Sequence, residues 1–169
     1  MARWPDKLTF FLLALLVLLS PIPLASNRDW SWSLLAFVTA ALVLAWLLAA
    51  LLSRRRLFTG LHPLIPLLFL LALAWAWLQA QPWMPDGWKH PVWELASSAL
   101  GTPLPGAISV APEDNYTAFM RLLTYGLVFF LAFQLARDRL IAQKAFRWIF
   151  IAAVIYSVYG LLSYWGFLR

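Results

Sequence analysis

The chain has no cysteine and only two histidines among its 169 residues. The first absence excludes a disulfide scaffold, a thiolate metal site and a cysteine nucleophile. Neither the histidines nor the carboxylates fall at a metal-binding spacing, so no metal and no other cofactor is expected. There is also no glycine-rich phosphate loop, and no serine sits in a nucleophile elbow. Charge is the scarcest commodity: 12% of the residues are charged against 63% hydrophobic, and the mean hydropathy is +0.77. A chain of this size cannot bury that much apolar surface, so a soluble globule is excluded.

The gaps between the charges then set the architecture. Uncharged runs cover 8–27, 30–53, 57–85, 95–112, 122–136 and 148–168, and about 20 apolar residues in helical form cross a bilayer core. The spacing predicts membrane helices over about 8–24, 32–52, 61–79, 116–136 and 145–167. Together these form a single all-α membrane domain over 1–169. The first run follows Arg3 and Lys7 and could be read as a signal peptide, but Pro23-Leu24-Ala25 lacks the small-x-small cleavage pattern, so a retained helix is expected. The run over 95–112 is uncharged yet holds Gly101, Pro103, Pro105, Gly106 and Pro112, a backbone that could not satisfy its own hydrogen bonds in lipid. It therefore belongs to an extramembrane loop over 81–115, with one short amphipathic helix at Val92–Leu100 lying on the bilayer surface. Trp83, Trp88 and Trp93 are its expected interfacial anchors.

Basic residues orient the spans. With the N-terminus inside, nine fall in cytoplasmic segments (Arg3, Lys7, Arg54, Arg55, Arg56, Arg137, Arg139, Lys144 and Arg147) and three outside (Arg28, Lys89 and Arg169). This is the positive-inside pattern, with N-in and C-out. It also accounts for the net charge of +6 without nucleic acid, for which no ribbon of basic and aromatic residues exists.

Arg121 is the charge left inside a span, about 7 to 8 Å below the outer end of its expected helix. Two roles fit it. Its guanidinium can snorkel to the headgroups, or it can face the bundle and hold an anionic group bidentately. His90 lies in the outer loop beside Glu94, where it can serve as an acid or base or simply as loop structure. His62 is expected at the membrane interface. Gly126 and Gly160 are expected to allow close helix packing. Asn115-Tyr116-Thr117 is formally a glycosylation sequon, but it abuts the membrane edge and is treated as chance.

The most distinctive stretch is His90-Pro-Val-Trp93-Glu, then Leu100-Gly-Thr-Pro-Leu-Pro-Gly106, Ile108-Ser109-Val-Ala-Pro112 and Arg121-Leu-Leu-Thr-Tyr125-Gly, followed by Arg137-Asp138-Arg139 and Tyr159-Gly160-Leu161. It resembles the amino-terminal part of the O-antigen ligase and O-antigen polymerase superfamily over roughly residues 88–165. The resemblance implies a multi-spanning transferase of the bacterial inner membrane. Such a protein acts on undecaprenyl-diphosphate-linked glycans for lipopolysaccharide and related surface polysaccharides, without a nucleotide sugar or a required metal. It implies that Arg121, with His90, contacts the lipid diphosphate. Members of the family are longer, and their second large periplasmic loop, which holds the catalytic residues, would lie beyond Arg169. The chain is accordingly expected to be an amino-terminal fragment, inactive alone. A non-enzymatic scaffold or accessory subunit, packed against a membrane-protein partner and surrounded by membrane lipids, is the alternative.

Overall fold

The computed structural model describes residues 4–21, 29–54, 57 and 60–165. Among the described residues there are six α-helices: α1 (Trp4–Leu19), α2 (Asp29–Leu52), α3 (Leu64–Leu78), α4 (Val92–Leu100), α5 (Pro112–Leu135) and α6 (Arg139–Tyr164). One 3-10 turn, Asp86–Trp88, precedes α4, and no strand occurs among the described residues. The expected outer segment at Asn27 and Arg28 lies outside the described residues, as do Arg3, Arg55, Arg56 and Arg169 and the expected helix ends at Leu24 and Phe167.

Among the described residues three helices are long and apolar enough to cross a membrane: Trp30–Leu52, Pro112–Leu135 and Arg139–Tyr164. At 1.5 Å per residue these span about 35 to 39 Å, more than a hydrocarbon core of about 30 Å. α3 is apolar but only 15 residues long, about 22 Å. Its expected start at Leu61 moves to Leu64 because Pro63 takes the N-cap place and Pro66 supplies no amide donor within the first turn.

The other helix ends also differ from the charge-gap boundaries, for one physical reason. Charge limits what lipid will accept, but backbone hydrogen bonding continues through charged residues at the interface. α1 begins at Trp4, with Asp6 in its first turn. α5 begins at Pro112 rather than Tyr116, with Glu113 and Asp114 in its first turn, where carboxylates meet the positive end of the helix dipole. α6 begins at Arg139 rather than Ala145, because the Asp138 carboxylate accepts hydrogen bonds from the Leu140 and Ile141 amides at 2.9 and 3.4 Å and so caps it. α2 stops where Arg54 turns into the left-handed region at φ 47°, the place a helix normally gives to glycine.

The chain divides into two compact units, residues 1–58 with 127–169 and residues 59–126. In the first unit α1 packs on α2 and α6, around a core of Leu13, Leu42, Val43, Trp46, Leu131, Leu135 and Ile141. Trp46 meets Phe130 edge to face at 5.9 Å and donates its indole N–H to Asp6 Oδ1 at 3.3 Å. Tyr156 donates its hydroxyl to the Leu18 carbonyl. Among the described residues of α6 only Ile141 is buried, and Phe146, Ile149, Phe150 and Ile155 are exposed. An apolar surface of this extent is suited to lipid or to another membrane protein.

In the second unit α3 and the first part of α5 meet where Phe69 lies against Gly126. Leu73, Ala80, Met84, Ala107 and Thr124 are buried. Gly160, expected at a close packing point, has no atom within 4 Å of where a Cβ would stand, so it makes no such contact among the described residues.

Candidate functional site

The second unit carries the residues singled out from the sequence, and its loop between α3 and α5 is held by many polar contacts. The chain leaves α3 through Gln79 and returns at Ser109, whose amide donates to the Gln79 carbonyl at 3.0 Å. Side chains reinforce this closure. Asn115 Nδ2 donates to Gln79 Oε1 at 3.3 Å, and Ser109 Oγ donates to Asn115 Oδ1 at 3.2 Å and accepts from the Ala111 amide at 3.1 Å. Gln81, buried, donates to the Trp77 carbonyl at 3.0 Å and to the Tyr116 hydroxyl at 3.4 Å. These polar residues flank the apolar runs at both ends of the loop. Their polarity is the signal that marks them, but the pairing joins residues 36 apart and does not show in any local pattern.

α4 occupies Val92–Leu100, as its amphipathic spacing predicts, and ends at Gly101 in the left-handed region at φ 66°. His90 sets its start. The imidazole Nδ1 accepts from the Val92 amide at 3.2 Å, the His90 carbonyl accepts from the Trp93 amide at 3.1 Å, and the His90 amide donates to the Ala107 carbonyl at 3.0 Å. His62 repeats the device at the start of α3, accepting from the Leu64 amide at 3.4 Å. Each histidine precedes a proline, so both His-Pro pairs act as helix starts.

The three tryptophans divide. Trp83 and Trp88 are 61% and 59% exposed. Trp93 is half-buried and donates its indole N–H to the Ser109 carbonyl at 3.1 Å. Gly106 fits beneath it, since a Cβ there would stand 3.1 Å from Trp93 Cβ. Lys89 binds Asp86 at 2.8 Å, and this hydrogen bond and the lysine charge hold the Asp86 carboxyl below the ordinary carboxylate value.

Arg121 lies on α5 in the same unit and is half-buried, its Nε screened from solvent. Because α5 starts four residues earlier than the charge gaps suggest, Arg121 stands about 14 Å along the helix from Pro112. The added turn carries Glu113 and Asp114, so it lengthens the helix outside the lipid-compatible stretch and leaves Arg121 as near the edge of that stretch as the sequence implies.

No family model, curated protein or solved structure matches this chain. Geometry alone defines the site. No group of three potential metal ligands occurs among the described residues. What the unit offers chemically is one guanidinium within an apolar helix, able to take an oxyanion bidentately, with a rigid polar loop in the same unit.

Proposed function

We propose that this chain forms part of an O-antigen ligase- or polymerase-like transferase of the bacterial inner membrane, and that Arg121 binds the diphosphate of an undecaprenyl-linked glycan. In this reading α1, α2, α3, α5 and α6 are five spans, N-in and C-out. The short α3 is accommodated by local thinning of the bilayer. The loop between α3 and α5 faces the periplasm, with Trp83 and Trp88 at headgroup level and α4 along the surface. His90 lies in that loop as a second contact for the donor.

The observation that carries the reading is Arg121 itself, half-buried and the one charged residue of α5 beyond its acidic first turn. An ionisable side chain within a membrane span commonly marks a site. When the glycan is transferred the diphosphate leaves as an anion, and a fixed guanidinium stabilises that developing charge, an effect worth several kcal/mol in a water-excluded site.

The test is Arg121→Lys and Arg121→Gln in cells carrying the whole gene, read as the length profile of surface glycan together with membrane insertion. Loss of transfer with insertion intact is expected. Unchanged transfer would leave Arg121 as a snorkelling residue and remove the reading. The exposed apolar face of α6 favours a second reading, an accessory subunit packed on a larger membrane protein. That reading predicts stable co-purification with its partner and an unchanged glycan profile on deletion.

A further inference from the structure

In the first unit a groove of about 430 Å³ runs between α1, the end of α5 and the start of α6. Leu13 and Val17 line it from α1, Ala132 and Leu135 from α5, and Ala142 and Trp148 from α6. The alanines open the slot and the larger side chains wall it. Its volume falls in the range of about 300–1,000 Å³ typical of small-molecule sites, yet it presents almost no polar atom to a ligand.

A second hollow of about 420 Å³ adjoins it. It is lined by Arg139, Ala142, Gln143, Phe146 and Arg147, so Ala142 and Phe146 belong to both. Arg139, Gln143 and Arg147 recur every fourth residue and form one stripe over about 12 Å of the first turns of α6. Neither arginine forms an ion pair among the described residues. The nearest carboxylate in sequence, Asp138, is turned to the Leu140 and Ile141 amides.

We infer that the two hollows are one site for an anionic membrane lipid, its phosphodiester headgroup between Arg139 and Arg147 and one hydrocarbon chain in the α1, α5 and α6 groove. The apolar slot calls for a chain. The adjoining guanidinium pair, both members on α6, calls for an anion at the chain's head, since basic side chains grouped at a membrane face attract anionic headgroups. The site requires that α6 cross a membrane, which its length and composition allow, and it does not depend on glycan transfer.

The experiment is native mass spectrometry of the full chain released from detergent, titrated with palmitoyl-oleoyl phosphatidylglycerol, with the matching phosphatidylcholine and with inorganic phosphate. A saturable one-to-one phosphatidylglycerol adduct is expected, with phosphatidylcholine bound at least about tenfold more weakly and phosphate unable to displace the lipid. Arg139→Gln with Arg147→Gln should weaken phosphatidylglycerol about 30-fold, about fivefold for each charge removed. Ala132→Phe should remove the adduct by filling the slot, with far-UV circular dichroism confirming intact helices. The double arginine variant changes exposed side chains and decides the matter if the alanine variant does not fold. Equal retention of the two lipids, or an adduct insensitive to the double arginine variant, overturns the proposal. Displacement by phosphate at lipid-like concentration reduces the site to an ion site and overturns it as well.

Discussion

Phe69 stands so close to Gly126 that a Cβ at 126 would overlap Phe69 Cζ. The ring of one helix fills the place where the other has no side chain, so the two residues determine how closely α3 and α5 approach. Gly126→Leu should destabilise the protein by about 1 to 3 kcal/mol through overpacking, read as a lower unfolding temperature in detergent. Adding Phe69→Ala should recover part of that loss, and a double-mutant cycle measures the coupling. Additive effects would show that the two helices do not share this contact in the membrane.

His90 separates structure from chemistry in a single pair of variants. Its Nδ1 accepts from the Val92 amide, a task that an asparagine side-chain carbonyl can also perform at a helix start. His90→Asn should therefore keep α4 protected in amide hydrogen exchange, whereas His90→Ala should weaken its first turn by about 1 kcal/mol. On the proposed transferase reading, glycan transfer that survives in His90→Asn assigns the histidine to the loop. If transfer is lost while α4 stays protected, it serves the donor.

Asp138→Ala should cost about 1 kcal/mol by leaving the Leu140 and Ile141 amides uncapped. Ile141 is also part of the first unit's core, so fraying there exposes apolar surface. Asp138→Asn should retain most of the stability, and thermal unfolding of the three proteins side by side checks the order.

The pair Asp86 and Lys89 gives a pH dependence of known sign. The lysine lowers the Asp86 pKa, so the ionised carboxylate is favoured in the folded state. Whatever this contact contributes is present above the carboxyl's unfolded pKa and is lost as pH falls through its lowered folded value. Lys89→Met should move the Asp86 titration upward, followed by the carboxyl carbon shift in NMR. An unmoved titration would mean that the pair does not form in solution.

What could be read in advance was what composition and short spacing control. Val92–Leu100 was legible because Pro91 and Gly101 bracket about two and a half amphipathic turns, and the long apolar runs marked α2, α5 and α6. The ends of α1, α5 and α6 were not, because Asp6, Glu113, Asp114 and Arg139 lie inside first turns and a charge gap measures only the lipid-compatible stretch. The bonds from Gln79 to Asn115 and from Gln81 to Tyr116 were hidden for a different reason, since they join residues that only the folded loop brings together. Arg121 could be found as a lone charge in an apolar run, but its half-burial could not, because that depends on which side chains the fold sets around α5.

The Ser109 amide and the Gln79 carbonyl meet at 3.0 Å, so the chain between them starts and finishes at nearly one point. The bonds that tie the stretch to α3 and α5 are made near its base, by Gln79, Gln81, Ser109 and Asn115. The stretch behaves as a cassette: an epitope or a glycan-binding module could be spliced in at the exposed Gly87, which has open space around it, without asking α3 and α5 to move. Doubling the length of such a closed loop costs only about 0.6 kcal/mol of closure entropy, which makes this a segment able to take a long insertion at small cost to the rest of the fold.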